Sequence, residues 1–298
     1  MAERQTEMRH ARAEGFDQLP EVEALTILAQ GQVAAAEAVS GAIPEIARGA
    51  ALMAATIANG GRLIYAAAGS SGLMALADAL ELPGTYGIQR EQISIMFAGG
   101  AAALSDMVGG PEDDADAARA EIAQIGVKPG DCIIAVTASG STPYPMAAVA
   151  AARASGAKCI GIANNAGALL FELVDVAICL PTPPEVIAGS TRMGAGTAQK
   201  IALNMMSTMM AVHLGEVHDG FMVNVVADNI KLRIRARAMI MAISGVDETA
   251  ADRALEAAGG AVKLAIVLAS GIADAPSAAA LLKLHGGKLR PALASLGR

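Results

Sequence analysis

The chain has 298 residues, 54% of them hydrophobic before the 32 glycines are counted and only 17% charged, which excludes a disordered chain. Lys+Arg 22 against Asp+Glu 29 leaves a formal net charge of −7, and 2% of residues are aromatic with no Trp. Neither a basic face nor stacking platforms are visible, so no nucleic-acid partner is expected.

The start, MAERQTEMRHARAEG, has no apolar segment of the kind that opens a secretory signal. The longest uncharged stretches are interrupted by Gly, Ser and Pro, so no membrane partner is expected and the chain reads as soluble and cytoplasmic. Residues Pro20 to Ser40 and Ala42 to Asn59 carry Ala, Ile and Leu at helical spacing, and Gly60-Gly61 closes the second helix. Then Arg62–Ala67, Gln92–Phe97, Asp131–Val136, Lys158–Ile162 and Val174–Leu180 are short apolar runs that read as strands buried on both faces. The crossover segments between them, clearest at Leu73–Leu80, Asp114–Ile125 and Met146–Ala154, predict an α/β fold. The expected core is a doubly wound five-stranded parallel sheet of order 2-1-3-4-5. Its cysteines, Cys132, Cys159 and Cys179, form no CxxC pair and read as buried reduced thiols.

Gly196–Leu214 is an almost uncharged, Met-rich helix that must be buried in the core or against a partner. Arg233, Arg235 and Arg237 read as a solvated face of a connecting helix. From Gly245 onward, Asp247 is a candidate N-cap and glycines punctuate short Ala/Leu-rich helices. The expected organisation is an N-terminal helical segment over 1–60, an α/β domain over 61–232 and a small helical bundle over 245–298.

Two strands run into small hydroxyl-rich loops. The first meets Gly69-Ser70-Ser71-Gly72 and the third meets Ser139-Gly140-Ser141-Thr142-Pro143, each followed by a helix. Backbone N–H groups and hydroxyls at such places bind phosphate without Lys or Arg. In the expected strand order the two loops face each other across the ligand crevice, although each alone also reads as an ordinary strand-to-helix turn. No GxxxxGK[ST], GxGxxG or GxSxG occurs at the matching places, and His213 and His218 are five apart, so no metal site is supported.

Glu81, between Leu80 and Leu82 and before Pro83-Gly84, reads as the end of the helix that follows the first loop. There the helix dipole and apolar neighbours would raise its pKa as suits a general acid; a solvated helix-end Glu is the other reading. Glu112, in Gly109-Gly110-Pro111-Glu112-Asp113-Asp114, reads on its own as part of an acidic first helical turn with Pro111 at N1.

In order, GSSG, Asp78-Ala79-Leu80-Glu81-Leu82-Pro83-Gly84-Thr85-Tyr86-Gly87, Ala98-Gly99-Gly100, Glu112-Asp113-Asp114, Ala138-Ser139-Gly140-Ser141-Thr142-Pro143-Tyr144, and Gly189-Ser190-Thr191-Arg192-Met193 with Ala195-Gly196-Thr197-Ala198-Gln199-Lys200 resemble the N-acetylmuramic acid 6-phosphate etherases. That family belongs to the sugar isomerase (SIS) domain superfamily. The similarity runs from Thr6-Glu7 to about Asn229-Ile230-Lys231-Leu232, and the tail resembles the family's helical appendage. The resemblance implies a lyase of peptidoglycan recycling that cleaves the D-lactyl ether of N-acetylmuramic acid 6-phosphate by elimination and hydration, without metal or organic cofactor. It assigns the leaving-group acid to Glu81 and a second essential carboxylate, the base at C2, to Glu112. Ser70, Ser71, Ser139, Gly140, Ser141 and Thr142 would hold the phosphate, with Arg192 and Lys200 as the remaining cations. A homodimer with the site near its interface is implied as well. Four positions usually cationic in the family are Leu73, Ser141, Gly194 and Glu216 here. A diverged protein acting on or sensing another phosphorylated amino sugar is therefore the alternative.

Overall fold

The computed structural model describes residues 5–225 and 230–297; Asn229, named in the similarity above, and the rest of 226–229 lie outside the described residues. The chain forms two compact units, one of residues 1–80 with 90–209 and the other of 81–89 with 210–298.

In the first unit, helices α1 (Glu21–Glu37) and α2 (Ile43–Ala58) precede strand β1 (Leu63–Ala67). Helix α3 (Gly69–Tyr86), β2 (Ile93–Phe97), α4 (Ala115–Ile125), β3 (Cys132–Thr137), α5 (Pro143–Ala154), β4 (Lys158–Ala163), β5 (Val176–Cys179) and α6 (Gly194–Leu214) follow, the residues of α3 from Glu81 and of α6 from Met210 being assigned to the second unit. The sheet is parallel with order β2-β1-β3-β4-β5, as the alternation of elements predicts. All residues of β1 and β3 are buried, because these central strands are apolar on both faces and are covered by helices on both. The pair Gly60-Gly61 ends α2 as expected: Gly60 N–H donates to Ile57 O (3.0 Å) and Gly61 N–H to Thr56 O (2.9 Å). Cys132 and Cys159 are buried, whereas Cys179, on the edge strand β5, is only half-buried. Among the described residues no helix is long and apolar enough to cross a membrane.

The N-terminal end of the sheet is fixed by Asp131, which is fully buried. Its carboxylate accepts from the Arg62 guanidinium (2.6 Å), the Arg62 N–H (3.0 Å) and the Lys128 N–H (3.1 Å), while Arg62 also donates to the Ile125 and Gly126 carbonyls. Burial pushes this carboxyl up, but the hydrogen bonds from Arg62 and Lys128 outweigh it and hold it below the ordinary aspartate range. A carboxyl depressed in the folded state contributes stability above its unfolded value of about 3.9 and loses it as pH falls through the folded value. Thermal melts should therefore show wild type more stable than Asp131→Asn at pH 7, with the gap closing below about pH 4.

The second unit opens, after the 81–89 segment, with a hairpin that the strand reading does not anticipate. Strands β6 (Val217–His218) and β7 (Phe221–Met222) are joined by Asp219-Gly220, both with positive φ, as a two-residue hairpin turn requires. Helices α7 (Ile230–Ser244), α8 (Glu248–Ala257), α9 (Val262–Ala269), α10 (Ala275–Leu284) and α11 (Leu289–Ala294) then pack around Ile240, Leu255, Ile266 and Leu289. Asp247 caps α8 by accepting from Ala250 N–H at 2.8 Å. Arg233 and Arg235 are exposed as expected, but Arg237 is not simply solvated: it pairs with Glu248 (2.7 Å) and Asp252 (3.1 Å) of the next helix. Glu216 is paired with Lys263, both side chains mostly buried; burial pushes the Glu216 carboxyl up and Lys263 opposes it. His218 is buried beside Asp219, and burial pushes its pKa down, while His213 is exposed.

Candidate active site

Because β1 and β3 are neighbours at the point where the strand order reverses, the segments leaving their carboxyl ends share one edge of the sheet. A single residue, Ala68, separates β1 from α3, so Gly69-Ser70-Ser71-Gly72 is the first turn of the helix, not the loop that its Gly and Ser content suggests. Gly69 takes φ +54, a left-handed conformation that favours glycine, and the chain turns there from strand into helix. Gly72 N–H reaches back to Ala68 O (3.0 Å), while the N–H groups of Gly69, Ser70 and Ser71 precede the first helical acceptors.

Across from this turn, β3 ends in a cluster of hydroxyls. Thr137 Oγ1 and Thr142 Oγ1 lie 2.8 Å apart, Ser139 Oγ is 3.2 Å from Thr142 Oγ1, and Ser141 N–H donates to Ser139 Oγ (3.2 Å). Thr142 sits at the N-cap of α5 with Pro143 at its first position, where the missing N–H forfeits no hydrogen bond. Gly140 adopts φ +73 and its carbonyl accepts from Leu170 N–H (3.0 Å), which sets the path of the loop.

Both turns open on a cavity of about 200 Å³ lined by Ser70, Ser71, Thr137, Ser139 and Thr142. Gly189, Thr191 and two carboxylates, Glu7 and Glu112, complete its wall. Glu112 lies against the start of α3, its Oε2 being 3.9 Å from where a Cβ on Gly69 would stand; Glu7 Oε2 has the same relation to Gly189 at 4.0 Å. Beyond the 189–191 segment, the buried Glu185 accepts from Gly194 N–H (3.0 Å) and Ala195 N–H (2.9 Å) at the start of α6. Among the described residues no Lys or Arg lines this cavity, so its attraction for an anion comes from the N-termini of α3 and α5 and from the hydroxyls. A more voluminous cavity of about 650 Å³ in the second unit, lined by Arg233, Asp252 and Glu256 among others, has no comparable hydroxyl cradle.

A five-stranded parallel sheet of this order has counterparts among known proteins. Residues 30–164 match the SIS domain family model. The fold resembles a phosphoheptose isomerase from Francisella tularensis with a TM-score of 0.52, 18% identity and coverage of 64% of this chain and 98% of that one, a likeness of fold alone. An N-acetylmuramic acid 6-phosphate etherase from Deinococcus radiodurans is 42% identical over 97% of this chain and 95% of its own length. Another from Symbiobacterium thermophilum is 44% identical over 88% of this chain and 87% of its own. The chain belongs to the N-acetylmuramic acid 6-phosphate etherase family.

Of the residues that the etherase resemblance singles out, the cavity brings together Ser70, Ser71, Ser139, Thr142 and Glu112. Gly140 and Ser141 shape the β3 loop without being among the lining residues, and neither are Arg192, Lys200 and Glu81, all three exposed. Asp78 is a buried carboxyl that burial pushes up, opposed by hydrogen bonds from Ser207 Oγ (2.8 Å), Asn204 Nδ2 (3.0 Å) and Tyr65 OH (3.0 Å) and least by the charge of Lys200.

Two local expectations need correction. Helix α3 does not end at Glu81: Pro83 sits inside its last turn, the buried Leu82 holds that turn, and Gly87 N–H closes it on Pro83 O (3.0 Å). Glu81 thus stands five residues before the helix end, outside the reach of the C-terminal dipole. Pro111 and Glu112 form a separate 3-10 turn (Gly110–Asp113), and the N-cap of α4 is Asp114, which accepts from Ala117 N–H at 2.8 Å. That separation frees Glu112 from a capping role and leaves it in the cavity wall. The site also contains Glu7, Thr137, Gly189 and Thr191. Glu7, Gly189 and Thr191 lie in runs that carry the etherase resemblance; Thr137 stands one residue beyond the expected end of its strand.

Proposed function

We propose that this chain splits the D-lactyl ether of N-acetylmuramic acid 6-phosphate into N-acetylglucosamine 6-phosphate and D-lactate. The observation that carries the reading is a phosphate-sized cradle of hydroxyls and helix N-termini with Glu112 in its wall, in a chain of the etherase family. The phosphate occupies the Ser70, Ser71, Ser139 and Thr142 cradle. In the ring-opened sugar, C2–H is acidic because C1 is a carbonyl carbon, and Glu112 removes that proton. The electrons form the C2–C3 double bond as the C3–O bond breaks, and Glu81 delivers a proton to the departing lactate oxygen. Water then adds at C3 and C2 regains a proton, so the net reaction consumes one water.

Glu81 would act from a homodimer interface. Leu73, Ala77 and Leu80, all exposed, recur at i, i+4 and i+7 along α3 beside Glu81, an apolar stripe suited to a second copy. Sedimentation at twice the chain mass checks this.

The experiment for the reaction is turnover in H₂¹⁸O. Breakage of the C3–O bond puts label on the C3 hydroxyl of the sugar and none in lactate, whereas hydrolysis on the lactate side reverses the pattern. No D-lactate from the wild-type protein overturns the proposal. The lack of any cation lining the cavity among the described residues favours a second reading, a ligand without the lactyl carboxylate. Under that reading the protein binds N-acetylglucosamine 6-phosphate and releases no lactate from the lactyl ether.

A further inference from the structure

The chain's first described turn carries a carboxylate into the cavity. Residues Gln5–Glu7 form a 3-10 turn, and chain ends fray unless tied down. Here Thr6 is 2% exposed and bonded twice to a residue 159 positions away: its N–H donates to Asn165 Oδ1 (3.2 Å), and Asn165 Nδ2 donates to Thr6 Oγ1 (3.0 Å). The same Nδ2 bonds the Ala138 and Ser139 carbonyls (3.1 and 3.4 Å), so the terminal turn is tied to the loop that supplies the hydroxyl cradle. This tie delivers Glu7 to the cavity wall against Gly189. Among the described residues Glu7 makes no hydrogen bond or ion pair, although its neighbour in sequence is locked.

We infer that Glu7 is a substrate-binding residue whose carboxylate accepts hydrogen bonds from sugar hydroxyl or amide N–H groups, with Thr6 and Asn165 as its positioning residues. The inference rests on the sugar-phosphate reading of the cavity. A carboxylate repels the phosphate, so Glu7 serves the neutral, donor-rich part of the ligand while the helix N-termini serve the anion. A polyhydroxylated sugar phosphate fits this division; a bare phosphate does not use Glu7 at all.

The test is calorimetric titration of N-acetylglucosamine 6-phosphate and of inorganic phosphate into wild type, Glu7→Ala, Glu7→Gln and Thr6→Val, with D-lactate release measured alongside. Loss of a hydrogen bond to a charged group predicts that Glu7→Ala weakens the sugar phosphate about tenfold or more, whereas inorganic phosphate, relieved of a like charge, binds no more weakly than to wild type. Glu7→Gln, which keeps an acceptor oxygen, falls between wild type and Glu7→Ala, and the pH profile of kcat is the same in both variants as in wild type. Thr6→Val raises KM as Glu7→Ala does, with its fold checked by circular dichroism. Unchanged sugar-phosphate affinity in Glu7→Ala overturns the inference, as does loss of a limb of the pH profile in Glu7→Gln, which would make Glu7 an acid–base group. A wild-type protein that binds the sugar phosphate without releasing lactate overturns the etherase reading alone, and the binding loss in Glu7→Ala still decides the role of Glu7.

Discussion

Glu112→Gln is expected to slow D-lactate release by about 10²- to 10⁴-fold, the usual worth of a general base, while sugar-phosphate affinity stays within a few-fold. The amide is isosteric with the carboxyl and cannot take a proton, and the helix N-termini and hydroxyls that hold the phosphate remain in place. Solvent deuterium separates this role from that of Glu81. If Glu112 removes the C2 proton, Glu112→Gln slows exchange of deuterium into C2 by the same factor as turnover. In Glu81→Gln the base is intact and the leaving-group acid is gone, so lactate release falls while C2 exchange continues. Exchange that keeps its wild-type rate in Glu112→Gln, or that disappears in Glu81→Gln with Glu112 present, would reverse or remove the two assignments.

The parallel sheet is legible from sequence because its central strands are almost wholly apolar and buried on both faces, so no face has to be chosen. Helix starts and ends are legible where a cap carries them, as at Asp247 and Gly60-Gly61. The start of α3 is not, since Gly and Ser are poor helix formers and GSSG looks like a turn. Tertiary packing decides it: a Cβ on Gly72 would stand 2.6 Å from the Phe97 ring of β2, so the helix begins where only glycine lets it lie against that strand. The Asp219-Gly220 hairpin is a different case. Its turn signal is present, but strands of two residues each carry too little alternation to register as strands. Within the site, the hydroxyl loops are local and therefore readable. Glu7 reaches the cavity through Thr6 and Asn165, a contact across 159 residues that no periodicity announces.

Gly140→Ala should lower stability by about 3 kcal/mol and weaken phosphate binding at the same time. Two costs add. The residue is held at φ +73, where an L side chain costs about 1 kcal/mol. A new Cβ would also fall well inside contact distance of the Ala168 methyl and 3.2 Å from that of Ala163, and neither methyl can rotate away because each is fixed to its own backbone. Overpacking of this kind costs about 1–3 kcal/mol. The loop can escape only by moving, which stretches the hydrogen bond from Leu170 N–H to Gly140 O and displaces Ser139 and Ser141 on either side. Thermal denaturation and phosphate titration should therefore change together. Adding Ala168→Gly removes the nearest methyl, so the double variant should recover part of the loss, while the backbone conformation and the 3.2 Å contacts with the Ala163 methyl and the Ala168 Cα keep their cost. Gly110→Ala gives the contrast, since that glycine has no positive φ and nothing within 4 Å of an added Cβ, and it should leave stability close to wild type. No recovery in the double variant would mean that the cost at Gly140 lies in the backbone conformation and not in the contact with Ala168.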